Sequence, residues 1–198
     1  MADQETIRFY NENATRYAAA IEERSMMPHI ERFTALLPPS AKLIDLGCGS
    51  GRDMKEFQKR GLPTVGLDAS FELVRLARRT SGADVVVGEL SELPFASSIF
   101  HGAWASASFL HLKDSEITTA LREVDRVLKA GGVFFSSLKL GTGEERTADR
   151  RLFNYYAPNE WISRLGEAGF NVLSIKTDPV SSAGFGDSWI STIARKGV

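Results

Sequence analysis

Short apolar runs alternate with helical patterns along this chain. Seven runs bounded by Gly, Pro or Asp are predicted to form strands: Lys42–Leu46, Thr64–Leu67, Asp84–Val87, Ile99–Ala105, Val133–Leu138, Asn171–Lys176 and Trp189–Ala194. Most of these runs are rich in β-branched or aromatic residues, which favour strands. Parallel neighbours need crossover connections, so the alternation predicts an α/β fold, a parallel sheet covered by helices on both faces.

The clearest helical pattern runs from Ser115 to Lys129. Its apolar residues recur at i, i+3, i+4, i+7 and i+11, namely Ile117, Ala120, Leu121, Val124 and Leu128. The pair Gly131–Gly132 follows and is predicted to end the helix. Another helical pattern begins near Arg52 and ends at Gly61.

The stretch "LIDLGCGSGRD", residues 43–53, places three glycines in a five-residue window between a predicted strand and a predicted helix. Glycine weakens regular elements, so the backbone here is expected to turn sharply or to lie close against a ligand. Open α/β sheets bind ligands beyond the carboxyl ends of their strands, where the strand order reverses. The loop therefore occupies the expected ligand-binding position, at the N-terminus of the following helix.

The position of an acidic residue supports the prediction that the ligand contains a nucleoside. Asp68 ends the second predicted strand about 20 residues beyond Asp45, near the spacing at which a carboxylate takes the hydroxyls of a bound ribose. A dinucleotide site has glycines in the order G-x-G-x-x-G, but Arg52 stands where its third glycine would lie. The spacing G-x-G-x-G, preceded by Asp45, needs a different explanation.

This arrangement resembles the first motif of class I S-adenosylmethionine-dependent methyltransferases, and the resemblance extends from about Phe9 to Arg195. The matching segments are "FYNENATRYA", "LIDLGCGSGRD", "VGLDAS", "GELSELPF", "FHGAWASASFLHL" and "LREVDRVLKAGGVFF". The family resemblance implies a Rossmann-like, doubly wound sheet of about seven strands, mostly parallel with the last strand antiparallel, and an N-terminal helical cap. It also implies S-adenosyl-L-methionine as cofactor and S-adenosyl-L-homocysteine as product.

One domain is expected over 1–198, because the length suits one core. Its expected parts are a helical cap (1–40), a cofactor-binding core (41–138), a substrate-side lid (139–158) and the C-terminal part of the core (159–198). The lid is long for a structureless connection, and such loops are often binding loops.

Carried over position by position, the resemblance implies a cofactor site. Asp45 would lie near the methionine ammonium, Asp68 would take the ribose hydroxyls, and Tyr17 or Arg52 would meet the methionine carboxylate. The glycine loop supplies Gly47, Cys48, Gly49 and Gly51; the adenine side supplies Ala69, Ser70, Glu89 and Leu90; the methyl side supplies Ala105 and Ser106. Glu89 departs from the family, which more often has Asp followed by a small residue.

The acceptor side offers fewer signals. His111 is the candidate general base, since histidine titrates near neutrality, although packing at a helix start explains it equally well. The candidate acceptor-binding residues are Tyr10, Lys139, Arg150, Arg151, Tyr155 and Tyr156. The arginines could recognise a carboxylate or phosphate, or they could simply be solvated. His29 and His101 have no metal-ligand spacing, so no catalytic metal is expected.

Composition narrows the partners. The net charge of −1 argues against nucleic acid or an anionic membrane as partner. Cys48, the only cysteine, fits a reducing compartment, and the polar N-terminus has no signal-peptide pattern, so a soluble cytoplasmic protein is expected. The fourth predicted strand ends in "ASAS" rather than the Asp/Asn-Pro-Pro-aromatic signature of base-amine methyltransferases. A small-molecule acceptor, methylated on O, N or S, is therefore favoured.

Other functions stay open at this point. A nucleotide-binding oxidoreductase would have to bind a dinucleotide without the third glycine. A non-catalytic cofactor sensor or assembly factor would carry the same binding loop. A methyltransferase acting on RNA or protein is a further alternative.

Overall fold

The computed structural model describes residues 3–178 and 188–197, so the predicted domain 1–198 includes positions outside these ranges. The helices are α1 (Gln4–Glu22), α2 (Met27–Thr34), α3 (Arg52–Lys59), α4 (Phe71–Ser81), α5 (Asp114–Val127) and α6 (Pro158–Glu167), with a short 3₁₀ turn at Phe109–His111. The strands are β1 (Leu43–Leu46), β2 (Thr64–Asp68), β3 (Val85–Val87), β4 (Phe100–Ser106), β5 (Leu128–Lys139), β6 (Gly143–Arg146), β7 (Leu152–Tyr155), β8 (Phe170–Asp178) and β9 (Trp189–Lys196).

Seven strands form one sheet in the order β3-β2-β1-β4-β5-β9-β8. The pairs from β3 to β5 are parallel, whereas β9 runs antiparallel to both of its neighbours. This confirms the predicted Rossmann-like sheet with an antiparallel last strand. The strand order reverses between β1 and β4, so the crevice beyond the carboxyl end of β1 is the expected binding position.

Apolar side chains fill both faces of this sheet. On one face, Phe33 of α2, Phe57 of α3 and Trp104 of β4 are fully buried and in edge or tilted ring contact, and Trp104 stacks on Phe135 at 3.8 Å. The larger cluster on the other face includes Ile117, Leu121 and Val124, one stripe of the amphipathic α5. The helical spacing therefore predicted the buried face of α5 correctly.

The predicted end of that helix is wrong. Helix α5 ends at Val127, and Leu128 already has the extended conformation, pairing with Phe100 of β4. Strand β5 then continues through Gly131–Gly132 to Lys139. Pairing with β4 converts the last expected helical turn into strand, and Gly131, at φ +72°, belongs to the irregular part of this pairing.

The segment predicted as a substrate-side lid, 139–158, contains a β-hairpin that the sequence did not predict. Strands β6 and β7 pair from Gly143↔Tyr155 to Arg146↔Leu152 and form a separate two-stranded sheet. The Leu152 N–H donates to Thr6 Oγ1 of α1 at 2.9 Å, and the Arg146 guanidinium forms two hydrogen bonds with Asp3. These hydrogen bonds hold the hairpin against the N-terminal end of α1.

The described residues include neither a helix that could span a membrane nor a cluster of metal ligands. None of the helices in 3–178 or 188–197 is long and apolar enough to cross a membrane. Within the same ranges, no three His, Cys, Asp or Glu side chains are grouped as metal ligands would be.

Candidate functional site

Two cavities meet at the glycine loop. The first, about 100 Å³, lies beneath α1 and is bounded by the ends of β2, β3 and β4. The second, about 310 Å³, extends from the loop towards α2, β5 and β9. Five residues are common to the linings of the two cavities: Tyr17, Gly47, Gly49, Ser106 and Ala107. An elongated ligand could therefore occupy both cavities by crossing the loop at Gly47 and Gly49.

The loop needs its glycines because of both conformation and close packing. Gly47 has φ +70°, and a Cβ atom there would lie 2.3 Å from Ser108 Cβ. Gly51 has φ +82°, and a Cβ atom would lie 2.9 Å from the Ala77 backbone on α4. Gly51 thus allows α3 to start against α4. It does not line either cavity, whereas the sequence predicted that it lies beside the cofactor. Gly49 faces Tyr17, with 3.7 Å between its would-be Cβ and the ring.

Asp68 is positioned at the first cavity by the loop itself. The Gly49 N–H donates to Oδ2 and the Ser70 N–H donates to Oδ1, each at 2.8 Å. Burial raises the pKa of this carboxyl group, whereas the two backbone hydrogen bonds lower it. Each oxygen keeps a further lone pair, so the carboxylate can still accept two hydroxyl groups from a ligand.

Acidic groups also surround the loop in the second cavity. Asp45 is buried, and desolvation together with neighbouring Asp53 raises its pKa well above the usual range. Arg52 forms a bidentate ion pair with Asp53 at 2.7 and 3.0 Å, and Asp53 also accepts a hydrogen bond from Trp104 Nε1. Sequence reasoning missed Asp53, although its position in the first turn of α3 beside Arg52 was a usable signal. Arg52 therefore already has a carboxylate partner.

The remaining predicted cofactor residues divide between the cavities. Ala69, Ser70, Glu89 and Leu90 line the first cavity, and Cys48 lines the second. Burial raises the pKa of the Cys48 thiol. Ala105 is fully buried in the core and lines neither cavity, because its side chain points away from the strand end where Ser106 faces the ligand space. The structure therefore places Ala105 in the hydrophobic core, whereas the sequence predicted that it lies near the transferable methyl group.

His111 lines the first cavity and connects three elements. Its Nδ1 lies 2.6 Å from the Leu152 carbonyl, so Nδ1–H donates there. Its Nε2 then accepts a hydrogen bond from the Tyr10 hydroxyl of α1 at 2.8 Å. Burial lowers the pKa of His111 to about 4 and raises that of Tyr10. Both ring nitrogens are therefore engaged within the protein.

The predicted acceptor-binding residues lie mostly on the hairpin and the cap. Arg151 pairs with Asp149 and lies 4.5 Å over the Phe9 ring, and Arg150 lies 4.0 Å from Glu5. Lys139 lies 3.9 Å over the Phe153 ring. The structure brings these cations to α1 or to hairpin rings, and none of the three lines either cavity.

The two predicted tyrosines of the hairpin region have different places. The Tyr155 hydroxyl donates to Glu145 on the neighbouring strand. Tyr156 is fully buried against Trp161, with 5.2 Å between the rings. Tyr156 is a core residue, which corrects its predicted place in an acceptor pocket, since the chain enters α6 there.

The fold and the site together define a class. A Rossmann-like sheet with a glycine loop after β1 and an acidic residue at the end of β2 is the architecture of a nucleoside-binding domain. The methyltransferase domain model matches residues 44–136, which run from β1 to β5. The chain therefore contains a methyltransferase domain and is similar to S-adenosylmethionine-dependent methyltransferases.

Two curated relatives are similar to part of this chain. The malonyl-[acyl-carrier protein] O-methyltransferase of Erwinia pyrifoliae is 31% identical over 153 residues, covering 76% of this chain and 55% of that protein. The demethylmenaquinone methyltransferase of Corynebacterium kroppenstedtii is 34% identical over 94 residues, 46% of this chain and 40% of that protein. The chain spans about half the length, or less, of the first curated relatives it matches.

A solved structure shares the whole fold. The 1,6-didemethyltoxoflavin-N1-methyltransferase of Burkholderia thailandensis superimposes with a TM-score of 0.83, covering 98% of this chain and 88% of that chain. It is 22% identical and was solved with 1,6-didemethyltoxoflavin and S-adenosylhomocysteine bound. The similarity confirms the fold, including the cap that precedes β1.

Proposed function

We propose that this protein binds S-adenosylmethionine across both cavities and transfers its methyl group to a small-molecule acceptor. The single observation that carries this proposal is the junction of the cavities at Gly47, Gly49 and Ser106. The adenosine half would occupy the first cavity, where Asp68 can accept the ribose hydroxyls. The amino-acid half would occupy the second cavity, and the sulfonium would lie at the junction.

The charge of the site supports a cationic cofactor. Three buried carboxyl groups, Asp45, Asp53 and Asp68, surround the loop, whereas the guanidinium groups that line the second cavity belong to Arg24 and Arg52. Desolvation raises the pKa of Asp45, so a cation bound beside it would favour the ionised form. S-Adenosylmethionine carries a sulfonium and an ammonium group, which suit this excess of negative charge.

The chain would contribute mainly by positioning. The cofactor, when bound, supplies an activated methyl group, which an acceptor displaces in line. Tyr17 and α1 cover the loop and exclude water, and the glycine backbone holds the ligand at close range. Correct placement of two reactants can supply roughly 7–11 kcal/mol of the barrier reduction. No covalent intermediate with a side chain is required.

A small molecule is favoured over a nucleic acid as the methyl acceptor. Two of the similar proteins are named for small acceptors, demethylmenaquinone and 1,6-didemethyltoxoflavin, and a third is named for malonyl-[acyl-carrier protein]. The net charge of −1 provides no field that would attract a phosphate backbone. We propose a small-molecule acceptor for this chain as well, and we propose that the protein acts in the cytoplasm.

Transfer of a labelled methyl group tests the proposal. The full chain is incubated with methyl-labelled S-adenosylmethionine and the small-molecule fraction of a cell extract, and labelled products are separated by mass. We expect a product one methylene heavier than its precursor, formed in proportion to S-adenosylhomocysteine. Asp68→Ala is the control and should form little product. Cofactor binding without any labelled product would favour the sensor function instead.

A further inference from the structure

The second cavity also extends from the junction towards β5, where Ser137 Oγ accepts a hydrogen bond from the Ala107 backbone N–H. Past Ser106 it is enclosed by α2 and by the strand ends of β5, β8 and β9. The residues that line this outer part, here called the outer chamber, are Met26, His29, Ser137, Asp178, Trp189 and Ser191. None of them was expected to be functional from the sequence, and none of the predicted acceptor residues lies here.

His29 is the titratable group best placed to act in the outer chamber. Its Nε2 lies 4.0 Å from Asp178 Oδ2, and its ring packs at 5.6 Å against that of Phe135. Its Nδ1 is buried and forms no hydrogen bond with any described residue. About 21% of the side chain is exposed, so the open edge of the ring is the Nε2 edge that faces the chamber.

The chamber also presents hydroxyl groups and one aromatic ring. Ser137 Oγ accepts a hydrogen bond from Ala107 N and keeps its own proton available for a ligand. Ser191 Oγ is buried without a hydrogen-bond partner among residues 3–178 and 188–197. Trp189 is only partly buried, whereas Trp104 and Trp161 are enclosed in the core. A planar molecule could therefore stack on Trp189 while its polar atoms meet the two serines.

We propose that the outer chamber binds the methyl acceptor, that this acceptor is a planar ring compound with a neutral hydroxyl group, and that His29 takes the proton from that group. The inference rests on the proposed methyltransferase function and identifies the substrate class of the same site. It replaces His111, which is engaged at both nitrogens, as the base.

The charges around the chamber favour a neutral acceptor. Asp178 lies beside His29, and Asp45 and Asp53 line the inner part of the same cavity, so three carboxyl groups face two guanidinium groups, those of Arg24 and Arg52. Arg52 is already paired with Asp53, so an anionic ring would meet an excess of carboxyl groups. The predicted acceptor-binding arginines, Arg150 and Arg151, lie at the hairpin instead.

His29 can serve as the base because it is neutral when the acceptor binds. Burial lowers its pKa, with Arg32 and Lys176 acting in the same direction, while Asp178 and Asp53 oppose them. As the acceptor oxygen forms its bond to the methyl carbon, the carbon–sulfur bond breaks and its electron pair stays on sulfur. The hydroxyl proton passes to His29 Nε2, and Asp178 stabilises the resulting imidazolium before the proton leaves to solvent.

Three histidines in the chain make this proposal accessible to NMR. Proton–carbon correlation spectra of the Cε1–H groups are assigned with His29→Gln, His101→Gln and His111→Gln. The protein, saturated with S-adenosylhomocysteine, is titrated with 2-naphthol and separately with 2-naphthoate, its anionic counterpart. We expect 2-naphthol to shift the His29 signal and 2-naphthoate to leave it nearly unchanged. Trp189→Ala should weaken the binding of 2-naphthol, measured from this shift, about tenfold.

A rate measurement tests the base itself. With S-adenosylmethionine, the wild-type protein should convert 2-naphthol to its methyl ether, and His29→Gln should slow this at least about 100-fold. Affinity for S-adenosylhomocysteine should not change in this variant. A shift at His111 instead of His29, preference for 2-naphthoate, absence of the ether, or an unchanged rate would overturn the inference. In each case intact S-adenosylhomocysteine binding would leave the proposed cofactor function standing.

Discussion

At the scale of single residues, His111 shows how burial changes the role of a titratable group. It donates to the Leu152 carbonyl of β7 and accepts from Tyr10 of α1, so it connects the exit of β4 to the cap and the hairpin. Burial lowers its pKa to about 4, and it is neutral near pH 7. Its geometry fits a structural link between elements.

This shift predicts a dependence of stability on pH. An unfolded histidine titrates near 6.5, so between about pH 6.5 and 4 the unfolded chain binds more protons at this position than the folded chain. The free energy of unfolding should therefore fall as the pH decreases through this window, by about 1–3 kcal/mol for His111. Urea unfolding at several pH values measures the effect.

The control for this prediction is the His111→Gln variant. Its free energy of unfolding should change less over the same pH window, because the titrating group is gone while Asp3 and Asp149 remain. The carboxyl pKa of Asp3 and of Asp149 is lowered by Arg146 and Arg151 respectively, so both lose stabilisation only below this window. Equal slopes for wild type and variant between pH 6.5 and 4 would contradict the assigned role.

The sequence predicted some residues of the site better than others. Asp45, Gly47, Gly49 and Asp68 lie in short contiguous motifs whose backbone fixes their neighbours, and all four line the cavities. The partners of His111 are 101 and 41 residues away along the chain. Contacts of this kind depend on how the cap and hairpin dock, which no local pattern specifies.

At the scale of elements, α1 and the β6–β7 hairpin hold each other over the first cavity. Arg146 forms hydrogen bonds of 3.0 and 2.7 Å with the two carboxylate oxygens of Asp3, and it lies 3.1 Å from Glu5. Thr6 accepts a hydrogen bond from the Leu152 backbone. We therefore expect that opening of this contact between cap and hairpin speeds the release of a ligand from the first cavity.

The cap contact predicts an effect on ligand release. Arg146→Gln removes the bidentate pair, so S-adenosylhomocysteine should dissociate about 3–10 times faster, consistent with about 1 kcal/mol for a partly exposed pair. Stopped-flow displacement measures the dissociation rate. The pair should also weaken at high salt, since exposed charges are screened.

Arg75→Gln is a matched control for this measurement. Arg75 pairs with Glu72 on the exposed side of α4, and its side chain forms no hydrogen bond or ion pair with α1 among the described residues. Its removal should leave the dissociation rate unchanged. Equal acceleration in both variants would mean that general charge, rather than the cap contact, controls release.

Apolar periodicity predicted the elements of the sheet well, and their ends less well. All seven predicted strands exist, because alternating or continuous apolar runs reflect burial in the sheet. The end of α5 was missed because Leu128 is equally suited to a helix and a strand, and pairing with Phe100 decides the outcome. The hairpin was missed because "GEER" is fully exposed and carries no apolar pattern.

At the scale of the whole molecule, the strand order places the strand residues of the proposed site at one end of the sheet, where the parallel strands have their carboxyl ends. The reversal between β1 and β4 opens the crevice, β2 contributes Asp68, and β5, β8 and β9 enclose the outer chamber. The sequence predicted this architecture, and it also predicted the glycine loop and the acidic residue that line the two cavities. The acceptor side could not be read from it, because α2 and β9 meet only after folding.

The most direct test of the central claim is a calorimetric titration of the full chain with S-adenosylhomocysteine, S-adenosylmethionine and NADH under the same conditions. We predict one site per chain for the two sulfur compounds and no measurable binding of NADH. Asp68→Ala should weaken binding of S-adenosylhomocysteine at least about tenfold, because two charge-assisted hydrogen bonds to the ribose are lost, whereas the exposed-site control Glu72→Gln should not. Binding of NADH, or affinity unchanged by Asp68→Ala, would contradict the account.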